Sequence, residues 1–254
     1  MKKFLAIFCA ALMVLALLAG CGSSSSSSEF DTLEAGKLTI SSSPDFPPYE
    51  YYDDDGTTII GIEVEIMQLI ADKLGLELVI DAMDFDSALL AVQQGKSDMV
   101  VSGCTVTEDR KLVMNFTDSY TTAKQVIVVP EGSEVTADTL GDYMIGTQRG
   151  TTGFIYTSDD YGDDHVVGYD TYTLVIQALV NGQIDCVVMD DAVAKAYVDA
   201  TPGLMILPTE YVVEDYAFGV DKNNEKLLDG VNSALKELMA DGTVQSIIDK
   251  YIAE

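Results

Sequence analysis

From Lys37 onward the chain alternates short apolar runs with stretches in which apolar residues recur every three or four positions. Strands alternating with amphipathic helices produce this pattern, so an α/β architecture is expected. Residues 37–41 read as a strand. Asp53-Asp54-Asp55-Gly56 reads as a turn, because the spaced ligands and closing glutamate of a calcium loop are missing. Ile62, Ile66, Leu69, Ile70 and Leu74 share one helical face, and Gly75 ends that helix. A strand at 77–80, a helix at 85–94 closed by Gly95 and a strand at 98–101 complete the first set. The cycle then repeats as a strand at 144–146, a helix at 151–156, a strand at 166–167, a helix at 171–180 and a strand at 184–189. Two βαβαβ-like sets predict two similar lobes rather than one continuous sheet.

Two extended segments are placed to join those lobes. Residues 125–129 form an apolar strand closed by Pro130, and residues 216–220 return after a loop. Amphipathic helices at 227–239 and 244–252 close the chain and are expected to pack on the first lobe. The predicted division is therefore 37–125 plus 219–254 for lobe one and 126–218 for lobe two. A two-segment connection is a natural hinge, since a few residues absorb the rotation of both bodies.

The N-terminus concerns location rather than fold. Lys2 and Lys3 precede an apolar run over residues 4–19, too short for a stable span and followed at once by polar sequence. This reads as a secretory signal, residues 1–20. Its end, Leu18-Ala19-Gly20-Cys21, resembles the bacterial lipobox, in which the cysteine is acylated and becomes the mature N-terminus. Gly22 and the serines at 23–28 cannot bury apolar surface, so residues 21–36 are expected to be a lipid-bearing cysteine and a flexible tether. The expected address is the extracytoplasmic face of the bacterial cell membrane, held there by lipid on Cys21.

Charge and cysteine usage exclude several classes. With 14 basic against 42 acidic residues and a formal net charge of −28, the surface repels nucleic-acid phosphates. Once Cys9 leaves with the signal and Cys21 carries lipid, Cys104 and Cys186 remain. They read as two buried free thiols, with a single bridge as the alternative. His165 is the sole histidine and no Cys/His cluster exists, so neither a zinc site nor any other cofactor is expected.

Candidate chemistry sits where strands end, the place at which α/β sheets bind ligands. Ser102-Gly103-Cys104-Thr105-Val106-Thr107-Glu108-Asp109-Arg110 offers hydroxyls, a close-approach glycine and one arginine, whose planar fork matches a carboxylate. Taken alone, the stretch reads more readily as a helix N-cap with a surface arginine. Gly150-Thr151-Thr152-Gly153 lies between a strand and a helix, where amides hold an anion or simply cap the helix. Asp190 ends another strand, as an acceptor for an ammonium group or as a cap. Phe46 and Phe85 flank strand ends, as faces for a ligand side chain or as core.

Each signal is weak alone, but their order is specific. Phe46-Pro47-Pro48-Tyr49-Glu50, Gly61-Ile62-Glu63-Val64-Glu65-Ile66, Asp84-Phe85-Asp86, Gln94-Gly95-Lys96-Ser97-Asp98-Met99, the 102–110 stretch, Phe116-Thr117-Asp118-Ser119-Tyr120 and the 150–153 stretch occur in succession. Together they closely resemble the amino-acid-binding solute-binding proteins of ABC importers, family 3, over residues 37–251. The resemblance implies a two-lobed periplasmic-binding-protein type II fold that closes on its ligand and catalyses no reaction. It implies that Arg110 grips the α-carboxylate of an amino acid, with Thr105 and Thr152 as further donors. Asp190 and the carbonyl of Ser102, beside Gly103, then take the α-ammonium, and Phe46 and Phe85 enclose the side chain. Ser43 stands where cation-selective members often carry an acid, which weighs against a lysine- or histidine-type ligand. The implied partners are the amino acid, an ABC permease and the membrane through the lipid, with the chain acting as a monomer. The alternatives on this fold are a secreted cyclohexadienyl-dehydratase-like enzyme and a ligand-sensing domain; a Ser-His-Asp device would have to use His165, which reads as part of an acidic loop.

Overall fold

The structure, a computed structural model, describes residues 29–252. The expected signal segment, Cys21 and the serine run lie outside the described residues.

Chain order follows the alternating pattern. β1 (Lys37–Ser42) leads into three short strands, β2 (Asp45–Phe46), β3 (Glu50–Tyr52) and β4 (Ile59–Ile60), then α1 (Ile62–Leu74), β5 (Glu77–Ala82), α2 (Phe85–Gln93), β6 (Met99–Val100), α3 (Glu108–Val113) and β7 (Met114–Phe116). The second set is β8 (Thr121–Pro130), β9 (Ile145–Gln148), α4 (Thr152–Tyr161), β10 (Val166–Tyr169), α5 (Tyr172–Val180), β11 (Cys186–Asp190), α6 (Asp191–Ala200) and β12 (Leu204–Tyr216). β13 (Gly219–Asp221), α7 (Glu225–Ala240) and α8 (Thr243–Tyr251) close the chain.

These strands form two five-stranded sheets of matching design, β5-β1-β6-β13-β7 and β10-β9-β11-β8-β12, beside a small β2-β3-β4 sheet. In each large sheet three strands run parallel (β5, β1 and β6; β10, β9 and β11) and the next pairs antiparallel. The fold is the two-lobed type II arrangement. The chain crosses from the first sheet to the second over residues 117–120 and returns over 217–218.

Local chemistry explains the elements that position the cleft. Asp84, Thr107, Thr151 and Thr171 each cap a helix, their side chains accepting the backbone N–H of Ser87, Arg110, Phe154 and Leu174. Such caps contribute about 1 kcal/mol each and set where the helix begins. α1 buries Ile62, Ile66 and Ile70 completely, and each such side chain contributes roughly 1.5–3 kcal/mol. α7 buries Leu227, Val231, Ala234, Leu235 and Leu238 along one stripe, and both C-terminal helices pack on α1.

The helical periodicity at 62–74 matches α1 to the residue. Elsewhere the structure extends or splits the expected elements. The helix expected at 151–156 runs to Tyr161, because Thr157 is fully buried and bonds the Gly153 carbonyl at 2.6 Å. The strand expected at 125–129 begins at Thr121. The single return at 216–220 is two strands, β12 ending at Tyr216 and β13 beginning at Gly219. β12 is an edge strand whose register shifts between Ile206 and Val212 around Pro208; proline supplies no ladder donor, and this interruption hid the strand's alternation. α6 was not expected. Cys104 and Cys186 are free and buried. Burial raises both thiols above their ordinary range, Cys186 to about 12, which makes them unreactive.

Candidate functional site

The carboxyl ends of β1, β6, β9 and β11 converge on one cleft between the lobes. Its walls are Ser43, Phe46, Phe85, Ser102, Gly103, Thr105 and Arg110 from the first lobe and Gln148, Thr151, Thr152 and Asp190 from the second. All eight positions singled out as ligand-binding candidates line it, from Phe46 through Asp190. The reading of Arg110 as a surface side chain is corrected: the helix capped by Thr107 leaves Glu108 and Asp109 exposed and turns Arg110 inward, where it is 8% exposed.

Arg110 is held from three sides. Its Nη1 donates to the Thr105 carbonyl at 2.8 Å and approaches the Cys104 sulfur at 3.7 Å. Its Nη2 reaches across the cleft to the Gly150 carbonyl at 2.9 Å. The guanidinium carbon lies 5.4 Å from the centre of the Phe85 ring, within cation–π range. Opposite, Asp190 occupies the N-cap position of α6 but makes no capping bond; instead it accepts the Tyr216 hydroxyl. Burial first, and the charge of Glu214 second, push the Asp190 carboxyl up to about 8. Glu214 accepts Thr105 Oγ1 at 3.2 Å and Gln125 Nε2 at 3.0 Å, leaving its Oε1 buried without a partner.

Several bonds draw the lobes together. Tyr172 N–H donates to Asp45 Oδ2 at 2.6 Å, and the Tyr197 hydroxyl donates to the Asp45 carbonyl at 2.9 Å. Gln148 Nε2 lies 3.5 Å from Ser43 Oγ, and Thr105 Oγ1 lies 3.5 Å from Thr152 Oγ1. The cavity they enclose is about 10 Å³, room for about one water.

Gly103 is required twice over. Its φ is +53°, and a Cβ there would sit 2.3 Å from Cε1 of the Phe46 ring. Gly103→Ala is expected to destabilise by about 2 kcal/mol or more through left-handed strain and displacement of that ring. A thermal melt should show a Tm drop of roughly 4 °C or more; an unchanged Tm would reject this account of the contact.

Other residues of the cleft escaped the sequence reading. Thr151 lies inside the 150–153 motif already noted but was given no ligand role, and Gln148 ends β9 just before it, so position at a strand end was the available signal. Glu214, Gln125 and Tyr216 lie on the crossing strands, which resembled plain connections. Arg149 is exposed and paired with Asp170 at 2.5 Å. His165 sits in a turn at the start of β10, whereas Gln148 and Asp190 end their strands; roughly 13 Å of strand separates the two ends of β10. Among the described residues no group of His, Cys, Asp and Glu is arranged to hold a metal, and no helix is long and apolar enough to cross a membrane.

A two-lobed α/β protein with its polar strand ends turned into one interlobe cleft has the architecture of a ligand-capturing receptor. The chain belongs to the bacterial extracellular solute-binding proteins, family 3, whose profile matches residues 38–254. It is 32% identical over 264 residues to the probable histidine-binding protein of Neisseria gonorrhoeae, covering 100% of this chain and 97% of that one. It is 30% identical to the arginine-binding extracellular protein ArtP of Bacillus subtilis, covering 99% and 98%. The structure matches that of the arginine-, lysine-, histidine-binding protein ArtJ from Geobacillus stearothermophilus with a TM-score of 0.81 at 32% identity, over 86% of this chain and 96% of the other.

Proposed function

We propose that the protein captures an amino acid outside the cytoplasm, closes its lobes around it and hands it to the permease of an ABC importer. The observation that carries this reading is a divided charge pair, the Arg110 guanidinium on one lobe and the Asp190 carboxyl on the other, facing one cavity. In this reading Arg110, with the Thr105 and Thr152 hydroxyls, takes the α-carboxylate. Asp190 and the Ser102 carbonyl take the α-ammonium, and Phe46 and Phe85 enclose the side chain. A zwitterion stripped of water needs a partner for each charge, or desolvation costs several kcal/mol per charge. Neither lobe alone supplies both partners, so binding favours the closed form.

A cavity the size of one water cannot admit an amino acid, so the lobes must part. In place of the expected 37–125 with 219–254 and 126–218, residues 37–120 with 218–252 are proposed to move as one body and 121–217 as the other, about the crossings at 117–120 and 217–218, because the whole of β8 belongs to the second sheet. Cys21 is proposed to carry the lipid after removal of residues 1–20, tethering a monomer to the outer face of the membrane. The relatives' ligands, histidine and arginine by name, support an amino acid as the cargo.

The reading is tested by a thermal-shift screen of residues 29–254 against the common amino acids and cystine, after unfolding and refolding to strip bound solute. A ligand at 100 times its Kd stabilises by about 2.7 kcal/mol, a Tm rise of roughly 5–10 °C. Failure of every amino acid to raise Tm would reject the proposal.

A further inference from the structure

Behind the loop that carries Ser102 and Gly103 lie two carboxyl groups that the ligand chemistry leaves unused. Glu50 on β3 and Glu63 in the first turn of α1 are both 0% exposed. Glu63 is fully supplied with donors, Gly103 N–H to Oε2 at 3.0 Å and the Tyr120 hydroxyl to Oε1. Glu50 is not: Oε1 accepts the Ser102 hydroxyl at 3.1 Å, while Oε2 is buried without a partner. The titratable groups facing the pair are Asp45, Tyr49, Tyr120 and Cys104, none of them cationic. Arg110, which approaches Cys104, directs its guanidinium to the Thr105 and Gly150 carbonyls.

Two ionised carboxylates cannot share such a dry site, because each disfavours the charge of the other. A proton on Glu50 Oε2, pointed at Glu63, satisfies the orphaned oxygen and leaves one anion already bonded by two donors. We infer that Glu50 is a neutral acid sharing its proton with the Glu63 carboxylate, and that this pair is the positioning element for the Ser102-Gly103 loop at the cleft. Ser43 joins the same chain, since its N–H donates to Ser102 Oγ at 3.0 Å. Three cleft residues are thereby tied to one proton. Burial raises both carboxyls above their ordinary range, in keeping with this geometry. The positioning role rests on the cleft being the ligand site; the shared proton does not.

Both groups hold protons more tightly folded than unfolded, so their contribution to stability is greatest in acid and is lost as pH rises above about 4.5. One such proton corresponds to a fall of about 3 °C in Tm per pH unit. Glu50→Gln keeps a donor toward Glu63 and an acceptor for Ser102 but cannot ionise, so it should lose one proton's share of the slope. Infrared spectra of the protein at pH 7 should show a neutral-acid C=O band that moves on isotope labelling of glutamate and is missing in Glu50→Gln. Glu63→Gln, which weakens the acceptor of the Gly103 amide, should lower amino-acid affinity about tenfold more than Glu50→Gln does. The inference is overturned if the glutamate band is absent from the wild-type protein, a measurement independent of whether either variant folds. It is equally overturned if Glu50→Gln retains both band and slope. Should no amino acid bind while the band is present, the ligand reading fails and the shared proton stands.

Discussion

Arg110→Ala is expected to weaken amino-acid binding by at least ~3 kcal/mol, more than 100-fold in Kd. The side chain is buried, and its fork spans the cleft between the Thr105 and Gly150 carbonyls. Without it a bound carboxylate would face the surrounding hydroxyls and amides but no cation, in a pocket that excludes water. The loss should appear mainly as faster dissociation, because the deleted contact forms within the closed state. Arg110→Lys keeps the charge but not the fork, and should recover only part of the affinity. Titration calorimetry showing near-wild-type affinity for Arg110→Ala would remove Arg110 from the site.

Asp190→Asn should have the second-largest effect and an unusual signature, with binding lost while stability is gained. An ammonium buried against an amide lacks a counter-charge, which costs about 2–5 kcal/mol of affinity. The protein without ligand responds oppositely. Asp190 titrates near 8 in the shut cleft against an ordinary value of 3.8, so its folded form binds a proton more tightly than the unfolded chain. Its stabilising contribution is complete in acid and declines as pH rises from about 4 to 8. Asparagine removes that decline, so the variant's Tm should exceed the wild type's at pH 8 and approach it at pH 5. The Glu50–Glu63 pair contributes a slope of the same sign, and a double variant should therefore be flatter than either single one. Thermal melts across pH 5–8 and calorimetry with the same ligand provide both readouts. Unaltered binding by Asp190→Asn would place the ammonium elsewhere.

Such opposed effects are expected where a site is built from groups the fold alone would not choose. Asp190, Glu214, Glu50 and Glu63 are buried acids with no cation bonded to them in the closed protein. Burial holds the carboxyls of Asp190, Glu50 and Glu63 above their ordinary range, so each of these three lowers the stability of the shut form as pH rises toward neutral, and Asp190 recovers it when an ammonium arrives. The ligand then acts as the missing counter-charge, which couples capture to closure.

The legible parts of the chain are those with local causes. α1 follows from the spacing of Ile62, Ile66 and Ile70, and the ends of α2 and α5 follow from Gly95 and Asn181-Gly182. β12 was hidden because its edge position tolerates Pro208 and a register shift, and α6 because only Val193 and Ala194 are buried along it, too short an apolar face to mark a helix. Arg110 and Asp190 were recognisable as candidates through the order of their motifs, yet each alone resembled an ordinary cap. Gln125, Glu214 and Tyr216 gave no sign, since their partners lie 26 to 109 positions away.

The division follows from the range of the interactions. Helix faces, caps and turns depend on residues within about four positions of one another, so the order of amino acids was sufficient to specify them and the α/β class they build. Whether Arg110 meets Gly150, whether Glu50 faces Glu63 and how closely the cleft shuts depend on contacts between remote segments and on the loss of water around them. Desolvation turns an ordinary aspartate into a group titrating near 8, and it exists only where the folded chain has packed both lobes around it.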